Sequence, residues 1–580
     1  METNTFYPAM PTPEQTNRPA RPRLEIGKGD LIFAAVLTAL TLFGVAAGIW
    51  GGFRLGYAAA FCAGFAAVSV FIGQKKRAPG AFGILCGALA LSMAPVFALN
   101  SNVVVRGCCV IAGAVLSVIW FCSLAGVRAP AGDLGLARLM GVGLTDAVGN
   151  VPLTLRSVFS PENPRMKGVS KVLLGVLCAV PVLCAVVPLL IRSDAAFDGL
   201  IGALFSDLGT VAAQLILTLF LTPFLLSFAL SLRKTEGSPA AEKEGRGLDT
   251  AFLTAFLSVL SVVYVVYLCS QLAYFFDAFR GLLPAGMAIS YADYARRGFF
   301  ELCAVAGINL VLLFLTVFLA RKKEGRLPVV LRVFGTFIVL FTLVLIGTAL
   351  AKMALYIDNF GLTVLRLGTS AFMVFMAAVF LAVLARLFTA RVRILHVAAV
   401  SAAVVLLALG LGNINAVVAK YNYDAYVTGR LPQIDVEYLS QLGPEGVPYL
   451  TRLMEREKGN ADLRDELAEE VYYRYTVFYE CEYDWDEANG YRFRDPLTRA
   501  YRRLSQFSLP QKNAYDALES FLQTYPDFVE KEGYGLGRAY AGFDDSYGYF
   551  TQEEPATAPP MRQPEEESTE PVTEEPSTTL

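Results

Sequence analysis

The sequence predicts an all-α membrane protein with about eleven transmembrane helices, a small helical soluble domain and a disordered acidic C-terminal tail. Three observations predict it. Of 580 residues, 55% are hydrophobic and only 17% charged, whereas a soluble domain carries roughly 25% charged residues. Long uncharged runs recur through the first two thirds of the chain. The charge is also split: Met1–Lys420 holds 34 Lys and Arg against 19 Asp and Glu, and Tyr421–Leu580 holds 15 against 32. A basic apolar body is therefore joined to an acidic polar domain. No basic patch with interleaved aromatics stands in the acidic part, so nucleic acid is not an expected partner.

A helix needs about 20 apolar residues to cross a bilayer. Uncharged runs that meet this need cover 31–53, 55–74, 78–105, 107–127, 172–191, 208–232, 250–276, 302–320, 333–351, 367–385 and 394–419. They do not alternate as the strands of a barrel would, and a helix satisfies its own backbone hydrogen bonds in lipid. With the N-terminus in the cytoplasm, the inner segments carry 25 basic residues. The outer loops carry six: Arg54, Arg106, Arg192, Arg280, Arg296 and Arg297. This bias threads the acidic domain outside and predicts a multi-pass membrane protein with a cytoplasmic N-terminus.

Residues 1–29 read as a disordered cytoplasmic tail ahead of an uncleaved helix, 30–419 as the membrane domain, 420–548 as the extracytoplasmic helical domain and 549–580 as a disordered tail rich in Glu, Pro and Thr. Gly132–Phe159 is apolar but broken by charge, and reads as an amphipathic stretch on the inner surface. In the polar domain, Asp435 and Glu437 precede Tyr438. Asn460 can cap a helix, and Ser508 with Pro510 opens another that stops before Pro526.

The chemistry-bearing residues gather at the mouths of three spans. "SYADYARRGFFEL" puts Tyr291, Asp293, Arg296, Arg297 and Glu301 at the outer end of span eight, with Arg297 and Glu301 four apart on one helical face. "AKMALYIDNFGLTVLRLGTS" supplies Lys352, Tyr356, Asp358 and Arg366 between spans nine and ten. A charge at bilayer depth costs about 2.5–3.5 kcal/mol, so these groups are expected to pair. They form either a polar site for an anionic ligand, a proton or a lipid headgroup, or a set of interfacial anchors. Asp194, Asp198 and Asp207 lie in a further acidic loop. Asp484, Asp486, Asn489 and Asp495 resemble a calcium loop, but Ala488 occupies a ligand position and Gly490 comes one place late.

Nine of the ten cysteines lie in or beside apolar runs and read as small hydrophobes. His396 is the single histidine and reads as a packed or interfacial side chain. No phosphate-binding GxxxxGK[ST], HExxH or GxSxG occurs, and the sequence calls for no metal, cofactor or catalytic residue.

"YADYARRGFFEL", "KMALYIDNFGLTVLR", "NAVVAKYNYDAY" and "PLLIRSDAAF" together resemble a bacterial polytopic membrane family catalogued as domain of unknown function 4173, with a related class 4153. The resemblance covers Arg165–Leu450. It implies an integral membrane protein with a polar C-terminal extension, and no activity. Its motifs fall on Tyr291, Arg296, Arg297, Gly298, Tyr356, Gly361, Thr363, Arg366, Lys420, Tyr421 and Asn422. Lys352 stands where the pattern has arginine, which keeps the charge and loses the fork. The span count and the polar cluster point to a transport or channel-like role. The alternative is an envelope sensor or assembly scaffold whose outer domain binds a partner or cell-wall component. A lipid-modifying enzyme is the third. Membrane lipids, an envelope protein and a small anionic ligand are the expected partners.

Overall fold

The computed structural model describes residues 27–73, 78–127, 135–159, 186, 208–234, 248–280, 299–321, 327–389, 391–479, 483–486, 490–493, 504–526 and 528. Ten helical segments among them are long and apolar enough to span a membrane. They coincide with ten of the eleven apolar runs. Apart from Val186, the other run, 172–191, lies outside the described residues, as do residues 1–26 and 549–580 and the Asp194 and Asp198 loop.

The first helix group contains α1 (Lys28–Val45), α2 (Leu55–Gly73), α3 (Ala81–Ser92), the short α4 (Val96–Leu99) and α5 (Val103–Leu124). The amphipathic stretch forms α6 (Gly135–Gly149) and α7 (Val151–Phe159). Both pack on α8 (Leu208–Lys234), and α6 also touches α5. One continuous core joins this group. The second group is α9 (Thr250–Arg280), α10 (Phe299–Leu319), α11 (Val329–Phe360) and α12 (Val364–Phe388), with a separate core. Helix α13 (Ile394–Leu411) touches both cores and joins the groups.

Lipid tails are as apolar as leucine, so close backbone approach and buried polar contacts carry helix association. The sequence 83–87, Gly-Ile-Leu-Cys-Gly, lets α3 approach α5. A Cβ on Gly83 would lie 2.2 Å from Ser123 Oγ, and one on Gly87 would lie 2.9 Å from the Trp120 ring. The second group is tied by an amide. Tyr264 donates to Asn309 Oδ1, Asn309 Nδ2 donates to Thr342 Oγ1 at 2.9 Å, and Thr342 donates to Ile338 O at 2.7 Å. Asn309 and Thr342 are 0% exposed. Tyr264, Asn309 and Thr342 thus satisfy one another inside the group, whereas, among the described residues, Thr336 Oγ1 on α11 is buried without a partner.

Arg233 near the end of α8 pairs with Asp30 at the start of α1 and stacks on Phe71 near the end of α2. These three termini therefore share one face, the one the charge rule threads inside. It follows from the element order that α5 ends on this face and α8 begins on the opposite one.

The last apolar run is broken. Asn413 takes φ +50°, and a new helix α14 (Ile414–Val427) starts there and passes through Lys420 and Tyr421. The polar domain follows with α15 (Val436–Gln441), α16 (Val447–Arg456), α17 (Ala461–Tyr479) and α18 (Leu509–Thr524). Asp435 caps α15 by accepting from Tyr438 N at 2.7 Å, and Ser508 stands at the N-cap of α18 with Pro510 in its first turn. Val447, Leu450, Leu453 and Met454 on α16 meet Ala514, Leu518 and Phe521 on α18, each set at helical spacing and buried. One feature departs from the helical reading. The candidate calcium stretch forms a hairpin, β1 (Tyr483–Asp486) with β2 (Gly490–Phe493), in which Asp484 faces Arg492.

Candidate functional site

Of the predicted cluster, Tyr291, Asp293, Arg296 and Arg297 lie outside the described residues. Glu301 is exposed in the first turn of α10. Lys352, Tyr356 and Asp358 ride the last turns of α11, which runs nine residues beyond the apolar stretch, and Arg366 lies in the first turn of α12.

The turn between these helices explains the family motif. Gly361 takes φ +77°, which favours glycine, and a Cβ there would sit 2.8 Å from Asn422 Oδ1. Asn422 grips the next residue from both sides: it accepts from Leu362 N and donates to Leu362 O, each at 2.8 Å. Thr363 caps α12 by accepting from Arg366 N at 3.2 Å. Tyr438 of the polar domain accepts from Val364 N at 2.8 Å. The Arg366 guanidinium donates to Phe360 O at 3.0 Å and to Gly361 O, and lies 4.1 Å over the Tyr356 ring. Arginine thus closes the carbonyl end of α11 where the helix leaves acceptors unpaired. Tyr421 approaches Asp358 at 3.5 Å. Arg366 and Tyr356 are therefore brought together, but around backbone, while Asp358 meets Tyr421.

A second concentration of polar groups forms where the polar domain meets the first helix group. Asn100 is fully buried and donates to Gly410 O at 3.0 Å, while its own Oδ1 accepts from Asn102 N at 2.7 Å. Asn102 donates to Asn415 Oδ1 at 2.9 Å, and Asn415 donates to Leu442 O at 3.0 Å. Glu445, 5% exposed, accepts from Ser101 N at 3.1 Å and from Ser101 Oγ. Arg106, 7% exposed, donates to Asn100 O at 2.6 Å and Gly52 O at 2.7 Å. Arg54 donates to Gln506 O at 3.1 Å. Arg474 donates to Ser440 Oγ at 2.9 Å and Ser440 O at 2.5 Å. These arginines line a cavity of about 240 Å³ with Ser101, Ser508 and Gln511. Burial pulls Arg54 and Arg474 below the usual guanidinium value, the expected response of cations removed from water.

The sequence reading counted Arg54 and Arg106 only as two of the outer cations. The available signal was their rarity on that side, together with "LNSN" at Leu99–Asn102 and "GNIN" at Gly412–Asn415, two asparagine pairs at the ends of apolar runs. His396 is half-buried against Phe82, with ring centroids 4.1 Å apart.

No curated protein matches the chain, and no solved structure matches it. Of the two classes named from the motifs, the related one is the class found. A family model described as a domain of unknown function, DUF4153, matches residues 81–453, which takes in α3 to α5 as well as the Gly361 turn. That is 373 of 580 residues, and the chain belongs to this family.

Proposed function

We propose that this multi-pass membrane protein is an envelope sensor or assembly scaffold of a bacterial cytoplasmic membrane, with its N-terminus inside and its polar domain outside. One observation carries the reading: the polar domain is bonded to the outer turns of both helix groups. Glu445 and Phe507 hold the first group through Ser101 and Leu55. Tyr438, with Asn422 on the emerging helix, holds the second through Val364 and Leu362. Whatever shifts this domain biases how the two groups sit against each other, which is the two-state element that signalling requires. A partner protein, a wall component or a small anion would act there. Transport is the second reading, supported by the division of the bundle into two separately cored groups, a division on which rocking transporters rely.

The experiment places spin labels at Val103→Cys and Leu365→Cys, both exposed, in the full chain, with the exposed native Cys269 replaced. The expected result is one narrow distance that broadens when Glu445→Gln and Tyr438→Phe loosen the domain. An unchanged distribution would overturn the sensor and leave transport. Orientation is read with Lys512→Cys in a Cys481→Ala background, where Lys512 is about half exposed. Labelling by a membrane-impermeant maleimide in intact cells is expected, and labelling only after lysis would overturn the outside placement.

A further inference from the structure

We infer that the cavity between Arg54, Arg106 and Arg474 binds a compact dianion of the phosphate monoester class. Three arginines line it; among the described residues Glu445, already held by Ser101, acts on Arg106, and Glu470 acts on Arg474. Arg54 and Arg106 repel each other, and Glu445 offsets this in part. The described side chains that line the space carry three positive charges and no carboxylate, offset in part from behind by Glu445 and Glu470. Each arginine uses only part of its fork on protein carbonyls or a hydroxyl. Among the described residues, Arg54 Nη2, Arg106 Nη2 and Arg474 Nη1 have no acceptor.

Unfilled guanidinium donors around a half-open cavity call for an oxyanion, because the fork matches its oxygen spacing. Charge narrows the class. A carboxylate or a phosphodiester brings a single charge, whereas a phosphate monoester carries about −1.5 to −2 at neutral pH. Volume narrows it further. About 240 Å³ is below the roughly 300–1,000 Å³ of drug-sized sites, so the group that enters is a phosphate, free or at the end of a larger molecule. Gln511 lies on the wall, and its Oε1 accepts from the buried Ser508 hydroxyl at 3.3 Å, which leaves its amide NH2 for the ligand.

The test uses the full chain in nanodiscs of phosphatidylcholine, free of phosphate and sulfate. Inorganic phosphate is titrated against sodium chloride at matched ionic strength while the unfolding midpoint is followed. A parallel sample replaces part of the lipid with phosphatidic acid. Arg106 is left intact because it also holds Gly52 and Asn100. Arg54→Gln removes one charge, and loss of one charge-assisted hydrogen bond raises the half-saturating phosphate concentration about tenfold or more. Gln511→Glu places a carboxylate among the arginines, so it should raise the midpoint without ligand and abolish the response. A saturable shift with inorganic phosphate assigns the free ion. A shift only with phosphatidic acid, lost in both variants, assigns a lipid headgroup. The inference is overturned if chloride matches phosphate, if neither probe shifts the midpoint, or if Gln511→Glu leaves the response in place. Binding holds or fails here whether or not the polar domain governs the helix groups.

Discussion

Two arginine-rich places at the same end of the bundle look alike by composition and differ in how their donors are used. At the Gly361 turn, Arg366 closes carbonyls of its own hairpin and stacks on Tyr356. At the Ser101 turn, Arg54, Arg106 and Arg474 each make one or two anchoring bonds and line one cavity together. A cation at a membrane boundary is therefore not a site by position. What distinguishes the two places is whether protein acceptors already satisfy the fork.

Four changes would break or sharpen this contrast. Glu445→Ala should cost most. It strips the Ser101 N–H and hydroxyl of a buried charged acceptor and leaves three guanidiniums together, a loss of about 3 kcal/mol or more. Chemical unfolding in detergent measures it, and a smaller loss than for Arg366→Gln would reverse the contrast. Next comes Gly361→Ala, expected to lower stability by about 1–3 kcal/mol through a left-handed backbone and a contact with Asn422. Paired with Asn422→Ala in a double-mutant cycle, its cost should be less than additive. Tyr356→Leu should remove about 0.5–1 kcal/mol of cation–π attraction from Arg366, and Arg366→Gln should leave little for Tyr356→Leu to remove.

The smallest effect lies away from both places. Burial and the neighbouring Asp435, Glu470, Glu437 and Glu469 push the Glu466 carboxyl above its ordinary value. The folded chain then holds that proton more tightly than the unfolded chain. Its contribution is complete below the unfolded value and is lost as pH rises through the raised one. Glu466→Gln should raise the midpoint slightly at neutral pH and leave it unchanged in acid. A rise in acid alone would show that the neighbouring acids do not act on it.

The membrane helices were legible because apolar length alone determines them. The ends of α11 and α12 were not, since Lys352 and Asp358 interrupt an apolar count while the helix continues. Asn309 escaped notice because one amide inside a run is not a charge, yet it ties three helices. The break at Gly412–Asn413 was hidden by apolar residues on both sides. The β1–β2 hairpin was readable from Asn489-Gly490 between alternating aromatics, Tyr483, Trp485, Tyr491 and Phe493, a stronger pattern than the acids that suggested calcium. The Gly361 turn was marked by its motif residues, but their partners, Asn422 and Tyr438, lie 60 and 74 residues from Leu362 and Val364. The arginine cavity joins residues from both ends of the chain, and no local spacing records that.

That separation bears on how the protein is made. Arg54 finds Gln506 only 452 residues later, and Ser101 finds Glu445 after 344. The first hairpins leave the ribosome hundreds of residues before their partners exist. The turns at Gly52 and Asn100 therefore wait, unlatched, until translation is nearly complete. A chain that stops short of the polar domain leaves the Arg54 guanidinium and the Ser101 N–H without these partners.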